Sequence, residues 1–215
     1  MSLVRAAGYD HGDTCLSVRR PLPDTTHITG RESYVVVHPG ASAPARRPAP
    51  DRSRAIVSAL LAEGHRVVVT GTADEARLAA HVACDDATNV AGRLDLAQLA
   101  DVLDRADVVV APNTGPAHLA AAVGTPVVSL FAPVVPLTRW APHGVPRIVL
   151  GDQSAPCRDT RARHCPVRGH PCLNGIAPYD VVAAVHRFTT HREDNPEVTN
   201  PEAANPEVAT TGGGR

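Results

Sequence analysis

An α/β fold, a Rossmann-like parallel sheet with helices on both faces, is the class this sequence predicts. Short Val-rich runs recur along the chain: YVVVH at 34–38, RVVVT at 66–70, DVVVA at 107–111 and PVVSLF at 126–131. Such runs, bounded by Pro, Gly or Thr, read as strands buried on both faces. Helical segments lie between them, the βαβ pattern that builds a parallel sheet through right-handed crossovers. Hydrophobic residues make up 43% of the 215 residues and charged residues 20%, enough apolar surface for a packed core.

Residues 1–33 hold no sustained period. Pro21 and Pro23 disfavour helix, so this stretch reads as an extended linker, with order beginning at Tyr34. Residues 34–190 read as the folded domain. After the first strand comes Pro39-Gly40 and the proline-rich loop ASAPARRPAP. Asp51 then caps a helix that buries Ile56, Ala59 and Leu60 and stops near Gly64. Gly71-Thr72 turns out of the second strand into a helix over 73–83, and a weak strand follows at 88–91. The helix DLAQLADVLDRA sets Leu96, Leu99, Val102 and Leu103 on one face. Pro112 to Gly115 is a tight loop, and a helix runs from Pro116 to Val123. Beyond Phe131 the chain turns irregular to about residue 176, and a last helix spans 178–188 with Pro178 near its start. Residues 191–215 carry NPEVT, NPEAA and NPEVA and end in Gly-Gly-Gly-Arg, a composition expected to stay disordered.

With 21 basic and 22 acidic residues the formal net charge is -1. That balance argues against a nucleic-acid binder. No apolar run reaches the roughly 18 residues of a membrane span, and the N-terminus lacks the apolar stretch of a signal peptide, so a cytoplasmic location is expected. A dinucleotide-dependent dehydrogenase is also excluded, because no G-x-G-x-x-G follows the first strand.

In open parallel sheets ligands bind beyond the carboxyl ends of the strands. This selects the loops 38–50, 70–75 and 111–118. In APNTGPAHL a strand enters a glycine turn and a helix begins. The first turn of a helix offers free N–H groups and the positive end of the dipole, an anion site. Thr114 adds a hydroxyl, Gly115 permits close approach of a phosphate, and His118 lies in the first turn. The plainer reading, in which Asn113 or Thr114 only caps the helix and His118 is a surface residue, stays open at this point.

HPGAS at 38–42, TGTADE at 70–75, AGRLDLAQLADVL at 91–103 and above all APNTGPAHLAAAVGTPVVSLFAPVVPLTRWAP at 111–142 resemble glycosyltransferase family 9. These are the heptosyltransferase-like enzymes of bacterial envelope sugar assembly. The resemblance spans residues 34–188 and implies the C-terminal, donor-binding half of a GT-B fold. It further implies that an N-terminal acceptor domain is missing, with the first residues as the remnant of a linker to it.

The family's donor-phosphate loop matches Asn113, Thr114, Gly115, Pro116 and His118, with Asn113 where the family usually has Asp. Arg46 or Arg47 stands where the family usually has Lys and is expected to clamp the pyrophosphate. Thr70, Gly71, Thr72 and Glu75 fall where the family contacts the nucleoside, although Glu75 reads equally well as an ordinary acid at a helix start. Trp140 matches a family tryptophan; core packing is the expectation for it, with a lid over the cleft or ligand stacking as alternatives.

The implied activity is transfer of a sugar from a nucleotide-sugar donor to a saccharide or glycolipid acceptor of the cell envelope. The general base is expected in the missing domain, and neither a metal nor another cofactor is expected. The same resemblance allows peripheral association with a membrane and a separate chain that supplies the N-terminal domain. The alternative from another class is a non-catalytic nucleotide-sugar-binding module left by truncation of such an enzyme; Asn113 and the expected absence of the acceptor domain favour it, and the intact 111–142 block favours retained binding. Cys157, Cys165 and Cys172 are separated by seven and six residues, which does not match zinc-ligand pairs. Loop packing is the expectation for them.

Overall fold

The computed structural model of the chain describes residues 15–194. The repeat NPEVT-NPEAA-NPEVA and the first residues of the expected linker lie outside them.

Six parallel strands form one sheet: β1 (Val35–Val37), β2 (Val67–Val69), β3 (Thr88–Asn89), β4 (Val108–Pro112), β5 (Val127–Leu130) and β6 (Arg147–Leu150). Their spatial order is β3-β2-β1-β4-β5-β6, the doubly wound order that reverses direction between β1 and β4. Val35, Val36 and Val37 face Val67, Val68 and Val69 on one side and Val108, Val109 and Val110 on the other.

Strand alternation divides the valines between two cores. Val35, Val37, Val67, Val69, Val108 and Val110 point to one face, covered by α2 (Pro50–Ala62), α3 (Ala76–Ala83) and α8 (Pro178–Asp194). Val36, Val68 and Val109 point to the other, covered by α4 (Leu96–Asp104) and α5 (Gly115–Val123).

Several elements differ from the expectation. The described part of the stretch read as a linker, residues 15–33, is built into the domain: Val18, Leu22 and Ile28 pack on the second core, and a short helix α1 occupies Thr26–Thr29. The anchor is polar and long-range, which no local pattern encodes: Asp101, buried on α4, accepts from the backbone and hydroxyl of Thr25. Asp51 is not the cap of α2. Ala49 holds that position, Pro50 takes the first helical site where no N–H is needed, and Asp51 sits in the first turn. Ala59 is only half-buried, and Val57 is buried in its place. Leu96 is 73% exposed because it opens α4 instead of lying on the inner stripe. The region after Phe131 holds the edge strand β6 and two one-turn helices, α6 (Leu137–Trp140) and α7 (Pro171–Asn174).

Candidate functional site

The carboxyl edge of the sheet at the β1/β4 reversal gathers the predicted loops. After β4, Asn113 is 3% exposed and its Nδ2 is buried with no hydrogen-bond partner among the described residues. Thr114 follows in extended conformation at the N-cap of α5, and its hydroxyl does not bond the helix backbone. The plain capping reading is thereby removed for Thr114. Ala117 N–H turns back to the Thr114 carbonyl at 3.2 Å and Pro116 has no N–H, whereas Gly115 N–H finds no partner among the described residues. The space a Cβ would take at Gly115 is open. An uncommitted amide, hydroxyl and backbone N–H therefore follow one another along the chain at the positive end of a nine-residue helix. His118, half-buried one turn on, has its pKa lowered by burial, which makes it a neutral hydrogen-bonding group near neutral pH.

The loops after β1 and β2 are knotted together. His38, 4% exposed, places Nδ1 3.0 Å from the Thr70 hydroxyl and Nε2 3.9 Å from Glu75. Burial lowers the His38 pKa well below the ordinary imidazole range and the Glu75 charge opposes this only in part, so the ring is neutral. Thr70 is 1% exposed and its hydroxyl is spent on His38; the structure makes it a support of the loop. Thr72 and Glu75 form a reciprocal capping box, in which Thr72 N–H donates to Glu75 Oε2 at 2.9 Å. Gly71 packs closely under this turn, where a Cβ would stand 3.3 Å from both Ala91 and Glu75.

Arg46 and Arg47 are separated by the structure. Arg46 ends a 3-10 turn (Pro44–Arg46), and its guanidinium carbon lies 5.5 Å from the centre of the Trp140 ring. Both line a cavity of about 310 Å³ with Val135, Pro136, Arg139 and Arg161; Arg47 does not. Trp140 is 44% exposed, which corrects the expectation that it packs in the core. The loop carrying Arg46 is held by the cysteine-rich segment: Ala45 N–H donates to Arg163 O at 3.0 Å, and His170 Nε2–H donates to Ala45 O at 3.1 Å. Cys157 and Cys172 are buried in the first core, with Cys165 packed against it. Among the described residues no three His, Cys, Asp or Glu side chains are placed to share a metal ion. Arg139, Arg161 and His38 escape a sequence reading because only the fold brings their loops to the same edge.

This arrangement can be set beside known proteins. A model of glycosyltransferase family 9 (heptosyltransferase) matches residues 9–169. The chain belongs to glycosyltransferase family 9. Lipopolysaccharide heptosyltransferase 3 of Escherichia coli is 31% identical over 180 residues, which cover 80% of this chain and 51% of that protein. Lipopolysaccharide core heptosyltransferase OpsX of Haemophilus influenzae is 46% identical over 56 residues, 26% of this chain and 16% of that protein. Among solved structures, a glycosyl transferase family 9 protein from Veillonella parvula superposes with a TM-score of 0.63 at 18% identity, covering 74% of this chain and 46% of its own. The Escherichia coli ADP-heptose lps heptosyltransferase II gives 0.60 at 23% identity, covering 76% and 48%. These two share the fold. The family 9 chain described here thus spans about half the length of heptosyltransferase 3 and of both structures. Among its described residues no helix is long and apolar enough to cross a membrane.

Proposed function

We propose that this chain binds a nucleotide-sugar donor at the β1/β4 reversal and serves transfer of its glycosyl group to a saccharide or glycolipid acceptor. The observation that carries the reading is the run of uncommitted donors at the start of α5: Asn113 Nδ2, the Thr114 hydroxyl and Gly115 N–H, with open space at Gly115. They suit a diphosphate, with Arg46 from the neighbouring loop as counter-charge. The reacting anomeric carbon passes through an oxocarbenium-like state while negative charge grows on the departing diphosphate. Fixed N–H and hydroxyl dipoles stabilise that charge without rearranging. Glu75, held by its capping box near the end of β2, is assigned to the nucleoside. The acceptor's general base is assigned to the half of the relatives' length that this chain does not match.

The donor named for one structural relative, ADP-heptose, is the first to test. Thermal-shift titration against ADP, GDP, UDP and their sugars reads the site directly. A ligand at about 100 times its Kd stabilises the fold by roughly 2.7 kcal/mol. A shift selective for one base, lost in Thr114→Ala, supports the reading; a flat response from a cooperatively folding protein overturns it. A second reading is favoured by Asn113, which has no carboxylate where the family usually does: a binding module without catalysis. It predicts the same shift with no release of nucleoside diphosphate when an acceptor is added.

A further inference from the structure

We propose that Arg46, Arg139 and Arg161, set around Trp140, form an oxyanion site that holds a phosphate or carboxylate group carried by a substrate. This deepens the donor reading, shares Arg46 with it, and rests on it for the class of ligand, a phosphorylated or acidic saccharide compound.

The first ground is charge. Three arginines line one cavity of about 310 Å³, and among the described residues no acidic one lines it. None of the three is ion-paired among the described residues. Like charges gathered without counter-charge repel one another, and a bound anion removes that penalty. The second ground is an orphan donor: Arg46 Nε is buried and has no hydrogen-bond partner among the described residues. A buried N–H without an acceptor costs free energy that a ligand oxygen recovers.

The third ground is the way the cavity is built. Trp140 makes a cation–π contact with Arg46 at 5.5 Å yet remains 44% exposed, so its ring is available to a ligand's apolar face. Arg161 adopts φ 56, a left-handed backbone that a side chain rarely takes. Its N–H is fixed to Val134 O at 2.8 Å and Asp159 N–H to Pro133 O at 2.8 Å, which straps this loop to the turn after β5. Such a conformation persists only where its surroundings impose it. Guanidinium forks suit the paired oxygens of phosphate and carboxylate.

The chain's single tryptophan is Trp140, so its emission reports on this cavity alone. The full chain is titrated with pyrophosphate, ADP, glucose 6-phosphate, glucuronate and, as a neutral control, glucose, at constant ionic strength. The expected result is a saturable emission change with at least one anionic probe and none with glucose. Affinity for that probe falls at least tenfold in R139Q/R161Q, whose substituted side chains are exposed, and recovers in part in R139K/R161K. Loss of pyrophosphate and ADP together in R139Q/R161Q identifies the oxyanion as the donor's diphosphate. Loss of glucose 6-phosphate or glucuronate, with ADP unchanged, identifies it as an anionic group of the acceptor. The proposal is overturned if no anion alters the emission, or if R139Q/R161Q, with an unchanged melting curve, responds as the parent chain does. A Thr114→Ala chain that loses ADP but keeps the emission response to sugar phosphate separates the two sites; ADP failing to bind anywhere while sugar phosphate still quenches Trp140 defeats the donor reading and leaves this one standing.

Discussion

The carboxylate of Glu75 occupies the space that a side chain at position 40 would need: a Cβ on Gly40 would collide with both of its oxygens. The glycine after His38-Pro39 thus makes room for a residue 35 positions away. It lets the acid reach back under the β1 loop to cap its own turn and to approach His38. Gly40→Ala should expel Glu75 and break the capping box, at a cost of about 1–3 kcal/mol. Urea unfolding reads the stability, and nucleotide titration of the same variant reads the site. Unchanged stability would show that Glu75 has another place to go.

Thr114→Ala separates binding from folding. Because the Thr114 hydroxyl makes no cap bond to the helix, its loss should leave stability within about 0.5 kcal/mol. Nucleoside diphosphate affinity should fall by the worth of one hydrogen bond to a charged group, about 1.5–3 kcal/mol. Calorimetric titration beside a thermal melt checks both halves of this prediction.

Stability should decline as the solution turns acidic. His38, His65, His118 and His170 all have pKa values lowered in the folded chain, each first by burial. Below the ordinary imidazole pKa of about 6.5 the unfolded chain takes up protons that the native chain refuses, so stability rises with pH in that window and is lost as pH falls. Each such histidine contributes at most about 1.4 kcal/mol per pH unit. His38→Asn should flatten the dependence, measured as urea midpoints between about pH 7.5 and pH 5.

Asp101→Ala should be the most damaging change outside the sheet. The buried Asp101 Oδ2 takes Thr25 N–H at 2.9 Å, the Thr25 hydroxyl at 2.6 Å and Arg105 Nε at 2.8 Å. Removing it strands these donors and releases the 18–30 segment, with an expected loss of about 3 kcal/mol. Limited proteolysis should then cut the chain between Val18 and Tyr34; a parent-like digest would sink the idea that this contact holds the segment.

Cys157 and Cys172 should be inert in the native chain. Burial raises both thiols, Cys172 to about 12, so almost no thiolate is present at about pH 8. Neither should be alkylated before unfolding, and both should be in urea. Rapid native labelling, mapped by mass spectrometry, would contradict their place in the core.

Much of this was legible in the residues, for identifiable reasons. The Val-rich runs could be placed because parallel strands buried on both faces need continuous apolar residues, and all four runs are strands. The turn at Asn113–Gly115 could be placed because a strand, a glycine and a helix start in succession admit few geometries. Failures came where a distant partner decides. Thr25 and the 18–30 segment depend on Asp101, and the edge strand β6 depends on β5 beside it. Trp140 looks like core by composition and is left half-exposed under Arg46.

The sequence by itself determined the alternation of strand and helix and the loop that follows β4, because hydrophobic period and turn chemistry act over a few neighbouring residues. Only the tertiary structure decided which of two adjacent arginines faces the cavity, that Arg139 and Arg161 join it, and that Gly40 makes room for Glu75. Those facts depend on where separate loops meet at one edge of the sheet, and that meeting is fixed by the order of the strands, which no local run of residues contains.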